Sequence, residues 1–512
     1  MIEPTADSLM IDGRSLALSD IKPVARRYHR VILDPAAEPR IKASREAVER
    51  IAAAGVPTYG VNTGLGALST RAINAADLRT LQHNLLRSHA AGTGPPLDVD
   101  VVRTVMLIRA NSLAHGKSGA RTIVVQRLLD LLNAGVTPAI PSQGSLGASG
   151  DLAPLAHLGL VLTGEGRVMD FDGAIVDAAS TLDRAGIEPL MLEPKEALAL
   201  INGTAVMAGI ASLALLDAIQ LLRSAILVGA MSAFAIAARR EPFDRRMHEA
   251  RPHPGQTRVA AIIGSLLGPL SDDHRATSRV QDPYSVRCIP PVLGAALDAL
   301  QPLEAALEIE INSATDNPLV FAESDEALSG GNFHGHPLAL PIEYAKVAIA
   351  SVGNITERRI ALLMDGEEYG LPAFLVANPG VNSGYMIAHY LTAGLVAENK
   401  ILAHPSAVDS IPTSANIEDF NSMGTTGARH LEEIIRNVER IVAVEALCAA
   451  QACDLRSIYP GGVLAGGYET VRAMVPPLDA DERIIADDIE TIAQLVRTGR
   501  FARLIEEEIE KL

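Results

Sequence analysis

Apolar positions recur at helical spacing over residues 38–54, 75–91, 99–115 and 119–133. The fourth stretch reads TIVVQRLLDLLNAG, and Gly135 just past its last apolar position is a helix stop signal. Alanine- and leucine-rich stretches predict longer helices over 194–238, 291–311, 344–364 and 430–450. Segments rich in glycine and proline, at 58–69, 138–154, 251–256, 280–291, 329–337 and 404–422, predict the loops between them. Strand-like pattern is confined to 9–11 and 167–176. The fold expected is mainly α, a long central helix bundle with a loop-rich N-terminal region. In chain order it divides into an N-terminal region (1–200), a helical bundle (201–475) and a helical tail (476–512). Chemistry is expected on the loops, which a rigid scaffold holds in place.

Composition narrows the function. Aromatic residues make up 3% of the chain and tryptophan is absent, which suits closely packed helices better than a β-sandwich. The net charge of −17 argues against a nucleic-acid-binding face. The longest uncharged apolar run, residues 224–238, falls short of the roughly 20 residues needed to cross a bilayer. It predicts a helix buried in a bundle or a subunit interface, with no membrane partner. The N-terminal MIEPTADSLMIDGRSL has early acids and no apolar core, unlike a signal peptide. Three cysteines, Cys288, Cys448 and Cys453, without metal-like spacing suit a reducing compartment, so a cytoplasmic protein is expected. His334 and His336 have ligand-like spacing but no third partner, so they are expected to be structural, with no metal bound.

One loop stands out. GSLGASGDLAP places glycines at 144, 147 and 150 around Ser149. A phosphate-binding loop would need a following Lys and Ser/Thr, and a nucleophile elbow would need Gly-x-Ser-x-Gly; neither fits. Two readings remain. One is a flexible connection before a helix starting at Leu152. The other is a chain that closes on itself. With no side chain at Gly150, its nitrogen can approach the carbonyl carbon of Ala148; ring closure and dehydration of Ser149 then release two waters and leave an exocyclic methylene.

The longer stretch GSLGASGDLAPLAHLGLVLTGEG resembles the aromatic amino acid ammonia-lyases, which form a 4-methylidene-imidazole-5-one (MIO) electrophile from an internal Ala-Ser-Gly. Further family-like segments follow in order: YGVNTGLG (59–66), SHAAG (88–92), INGT (201–204), QDPYSVRC (281–288), SGGNFHGHP (329–337), ERRIALL (357–363) and ENKILAHPSAVDSIPTSANIEDFNSM (398–423). The resemblance spans about residues 5–475. It implies MIO from Ala148, Ser149 and Gly150 with no external cofactor, Asp151 assisting its formation, Tyr59 as the base for the β-proton and Tyr284 as a second tyrosine at the electrophile. It also implies that Arg287 pairs with the substrate carboxylate, that Asn202 and Gln281 contact the electrophile region, and that Phe333 shields it from water. A fumarase/aspartase-like architecture and a homotetramer with active sites shared between subunits are implied as well, although the GSSxMPxKxN signature of the fumarases themselves is absent. A phenol acting as base needs its pKa lowered, and a neighbouring cation is the expected means.

Substrate choice is expected where the side chain docks. Ser88-His89 is similar to the histidine-specific members, where tyrosine enzymes carry His-Leu and phenylalanine enzymes Phe-Leu. Glu418 points the same way, because a carboxylate can accept an imidazole N–H and would be left unsatisfied against an apolar ring. The chain departs from the histidine pattern at Ile417 (NIED for NQED), at 288–291 (CIPP for CQPQ) and at 335–336 (NFHGHP for NFHAEP). The expected reaction is non-oxidative elimination of ammonia from L-histidine to give trans-urocanate. Tyrosine or phenylalanine as substrate, and an aminomutase reaction on the same scaffold, are the alternatives.

Overall fold

Gly135 adopts a left-handed φ of 70° and ends the helix Thr122–Ala134, as its place in the sequence predicts. Helices Glu38–Ala53, Leu78–His89 and Val99–Ala114 fill the other three early stretches. The computed structural model describes residues 8–268, 280–479, 481–506 and 508; the first part of the N-terminal stretch read for targeting lies outside them. Helix accounts for 61% and strand for 7%, so the fold is mainly α. Leu9–Ile11 pairs in parallel with Val31–Leu33, and Arg167–Met169 forms an antiparallel hairpin with Ile175–Asp177.

The structure corrects the sequence expectation at several places. The helix expected over 194–238 is two helices, Glu196–Ile201 and Ala205–Ala235, broken at Asn202-Gly203-Thr204 where Gly203 takes a φ of 141°. The loop expected over 280–291 contains a short helix, Tyr284–Arg287, and the start of Ile289–Glu310, whose prolines at 290 and 291 sit in the first turn where no donor is lost. The helix expected from 344 begins at His336, with Pro337 near its start. Pro254–Leu267 begins within the loop expected over 251–256.

The described residues fall into two compact units assembled from separated segments, whereas the sequence reading divides the chain consecutively at 200 and 475. One unit comprises Met1–Leu213, Leu303–Ile342 and Pro405–Arg429. In it, Ala47, Val48, Val61 and Val320 form a small buried cluster, and Val61 thereby anchors the loop carrying Tyr59. The helix Val99–Ala114 is buried from Val101 to Ala114, and Arg103 on it donates to the carbonyls of Val24, Ala25 and Leu132.

The other unit comprises Ala214–Pro302, Glu343–His404 and His430–Leu512. Three long helices meet at a buried polar cluster. Glu445 on Gly424–Arg456 accepts from Arg359 Nε at 2.6 Å and Nη2 at 2.9 Å, and from Ser232 Oγ at 2.7 Å. Removing one partner would leave a buried charge unmatched, a loss of about 3–5 kcal/mol. From 224 to 238 every residue except Phe234 is buried. Residues 224–235 of that run form the last part of the 31-residue helix Ala205–Ala235, and residues 236–238 follow its end. Among the described residues, Ala205–Ala235 and His336–Met364 are long and apolar enough to cross a membrane, but most of the apolar window of each, 78% and 61%, is buried within the protein.

Candidate active site

The turn at 147–150 is tight because two glycines make it so. Gly147 and Gly150 have φ of 76° and 71° and pair with each other across the turn. A Cβ at Gly150 would collide with the backbone of Gly203, and one at Gly147 with Ser422 Oγ. Between them Ser149 is half-buried, and its carbonyl oxygen accepts from Asn202 Nδ2 at 3.0 Å and from the Gly203 N–H at 3.3 Å. Alone, Asn202 would read as a helix N-cap; it stands instead at the C-terminal end of Glu196–Ile201, and its side chain reaches across to Ser149. Its Oδ1 is buried without a hydrogen-bond partner among the described residues.

Asp151 is fully buried beside this turn. Its Oδ2 accepts from the Val206 and Met207 N–H groups, both at 2.9 Å, in the first turn of Ala205–Ala235, where the helix dipole favours a negative charge. Its Oδ1 accepts from Ser145 Oγ at 2.8 Å and from Thr425 Oγ1. Burial pushes the carboxyl upward, while these four bonds favour the carboxylate. Neither Ser145 nor Thr425 was singled out from the sequence, although both lie in small-residue runs of the resembling segments or next to one.

In front of Ser149 opens a cavity of about 760 Å³. Tyr59, His89, Ser149, Asn202, Phe333, Ile417 and Glu418 all line it. Glu418 Oε1 accepts from Ser149 Oγ at 3.3 Å, and its Oε2 from Thr413 Oγ1 at 3.1 Å. Its loop includes Ser414, Ala415 and Asn416, three consecutive residues at φ of 51°, 52° and 66°, a left-handed run that non-glycine residues adopt only under constraint. His89 ends the helix Leu78–His89, with Nδ1 3.1 Å from Ser88 Oγ. Burial lowers the His89 pKa below its ordinary 6.5, which keeps the imidazole neutral at neutral pH; Glu418 pulls weakly the other way.

The Tyr59 hydroxyl accepts from the Gly66 N–H at 3.4 Å. Its pKa is raised, first by burial and then by the carboxylates of Glu418 and Asp316. The lowered phenol expected from the sequence is therefore not what this unit provides, because burial and the carboxylates of Glu418 and Asp316 favour the protonated form.

Gln281, Tyr284 and Arg287 do not line this cavity; they belong to the other unit. Tyr284 is 70% exposed, with the Arg287 guanidinium 4.5 Å over its ring. All three line a second cavity of about 580 Å³. His334 and His336 engage each other and Phe420: His334 Nδ1 accepts the His336 N–H at 3.3 Å, and its Nε2 lies 3.2 Å from the Phe420 carbonyl. Among the described residues no group of three or more His, Cys, Asp or Glu side chains is arranged to hold a metal ion.

A family model described as aromatic amino acid lyase matches residues 16–473, nearly the whole chain. The chain belongs to this family. It is 45% identical over 507 residues to a histidine ammonia-lyase of Alkaliphilus oremlandii, covering 98% of this chain and 99% of that one. Among solved structures, a tyrosine aminomutase from Streptomyces globisporus is similar at 39% identity and a TM-score of 0.92, covering 98% of this chain and 99% of that one. A histidine ammonia-lyase from Trypanosoma cruzi is similar at 38% identity and a TM-score of 0.90, covering 98% and 95%. In this lyase of the family, Ser149 of the Ala-Ser-Gly turn, Tyr59, His89 and Glu418 all line one cavity.

Proposed function

We propose that this protein is a carbon–nitrogen lyase that eliminates ammonia from L-histidine to give trans-urocanate. The observation that carries the proposal is the pairing of Ser149, in its glycine-bound turn, with His89 and Glu418 on the same cavity. Ala148, Ser149 and Gly150 suit an MIO ring: position 150 has no room for a side chain, the Ser149 carbonyl oxygen already has two donors, and Asn202 keeps an unused buried amide oxygen. Once formed, the ring supplies an electrophilic methylene for the substrate amine, which makes nitrogen a better leaving group.

The chain's own residues do the rest. Asn202 Nδ2 and the Gly203 N–H are aimed at the Ser149 carbonyl oxygen, where negative charge accumulates when a nucleophile adds, and preorganised donors there stabilise it. Glu418 accepts the imidazole N–H of the substrate, and neutral His89 exchanges a hydrogen bond with the other ring nitrogen. The Tyr59 oxygen takes the β-proton; the C–H electron pair becomes the new double bond as the C–N bond breaks and ammonia departs. Phe333 keeps water from the electrophile, and Asp151 assists ring closure. Because burial and two carboxylates hold Tyr59 protonated, its ionisation needs a cation delivered to the cavity.

Arg287 meets that need in a cytoplasmic homotetramer with shared active sites, where Gln281, Tyr284 and Arg287 serve the cavity of a partner copy and Arg287 also holds the substrate carboxylate. Exposed Tyr344 and Val347 on His336–Met364, and Ile387, Tyr390 and Ile401 on Met386–Leu402, give the second unit apolar surface suited to subunit contact. The test is the release of ammonia and trans-urocanate in equal amounts from L-histidine, with Ser149→Ala inactive and heavier than the ring-bearing wild type by two waters less the one oxygen that the substitution itself removes. Ammonia release that survives Ser149→Ala would overturn the proposal.

A further inference from the structure

Two arginines six residues apart on the buried helix Val99–Ala114 are used differently. Arg103 gives Nε, Nη1 and Nη2 to backbone carbonyls, so each of its nitrogens has a partner. Arg109, no more exposed, donates only from Nη2, to the Ala199 carbonyl; among the described residues its Nε and Nη1 have no hydrogen-bond partner. A guanidinium left so poorly matched in the interior is costly, and structural need alone does not explain it.

Its position does. Ala199 lies in the helix that ends at Asn202, and a Cβ at Gly203 would sit 2.5 Å from Arg109 Nη1 and from Thr315 Oγ1. Arg109 thus packs against the back of Gly203, whose N–H faces the Ser149 carbonyl oxygen on the other side. The charged neighbours of Arg109 are Asp316 and Lys195, which pair with each other at 2.6 Å; Glu310 lies under the same turn, bonded to Thr204. Asp316 balances Lys195, and burial raises the pKa of Glu310 and so disfavours its charged form, which leaves the Arg109 guanidinium as the cation packed on Gly203. Burial brings the Arg109 pKa down to about 10, so the guanidinium stays charged at neutral pH.

We infer that Arg109 is a positioning residue for the reaction: it holds the Asn202-Gly203 turn against the Ser149 carbonyl oxygen and sets a buried positive charge behind it. This rests on the ring-forming reading of Ser149 given above. Where charge builds on that oxygen, the cation one residue away lowers its energy without having to move.

Full-length wild type, Arg109→Gln and Arg109→Lys are first weighed intact to establish that the ring has formed, then mixed with cyanide, and adduct formation is followed by intact mass. The Gln substitution keeps a donor for Ala199 and removes the charge; the Lys substitution keeps the charge. The Gln variant should add cyanide about ten- to a hundredfold more slowly and lose kcat for L-histidine with little change in KM, while the Lys variant stays within about fivefold of wild type at neutral pH. A ring-bearing Gln variant that adds cyanide at the wild-type rate overturns the inference. If the Gln variant lacks the ring, the Lys variant decides. Its rate per cyanide anion should fall at a lower pH than the wild type's as the buried ammonium loses its proton; overlapping profiles would overturn the inference. Wild type that takes up cyanide but makes no urocanate would sink the histidine assignment and leave the role of Arg109 standing.

Discussion

The floor of the cavity and its far wall are built by different means. At the floor, Ser149 is held by backbone: glycines at 147, 150 and 203, the Gly203 N–H, and a buried carboxylate capped by the start of a helix. At the wall, recognition is left to side chains, His89 at a helix end and Glu418 on a loop with three left-handed residues, beside Ile417, which is 66% exposed. The floor leaves no space in which to vary, whereas the wall can change its chemistry without refolding. That contrast matches a family whose members, by their names, act on different amino acids through one fold.

The contrast can be broken from either side, and the floor should respond most. Ser149→Ala should cost about 10³-fold or more in kcat with an unchanged melting temperature, since the hydroxyl is needed only to make the electrophile. Gly203→Ala should destabilise the protein by about 2–4 kcal/mol in chemical denaturation, through its φ of 141° and the clash with Arg109 and Thr315. A stable, active Gly203→Ala protein would show the floor to be less constrained than its geometry indicates.

Changes at the wall should be milder and selective. His89→Leu and Glu418→Gln should each lower kcat/KM for L-histidine by about 10- to 100-fold, with stability nearly unchanged and phenylalanine turnover little affected or improved. Equal losses on histidine and phenylalanine would make these residues part of the common machinery instead.

The smallest effect expected is on stability against pH. Burial lowers the pKa of His89, and of His115 and His157, below 6.5 in the folded state. As the pH falls through 6.5 the unfolded chain takes up protons first, so stability drops until each folded-state pKa is passed. Asp151, whose carboxyl is raised, acts with the opposite sign. Replacing His89 by Gln should flatten the acid-side decline in melting temperature; an unchanged slope would mean that His89 keeps its ordinary pKa.

Much of the floor was legible because glycine is conspicuous: three of them around one serine require a backbone explanation, and the tight turn at 147–150 supplies it. The break at 202–204 was not, since one glycine in a long Ala/Leu stretch is compatible with continuous helix until a partner for Asn202 is seen. Arg109 escaped notice for a similar reason. A lone charge in an apolar helix signals burial, but only packing shows that it faces Gly203 while Arg103 faces carbonyls. The setting of Tyr59 could not be foreseen either, because Asp316 and Glu418, which hold its proton on, are hundreds of residues away in sequence.

Histidine as the substrate is tested most directly by giving the purified protein L-histidine, L-tyrosine and L-phenylalanine separately and following the absorbance of the conjugated acid together with free ammonia. Rapid urocanate and equimolar ammonia from histidine, with little from the other two, is the predicted result. Coumarate or cinnamate as the main product, or a β-amino acid formed without ammonia release, would contradict it.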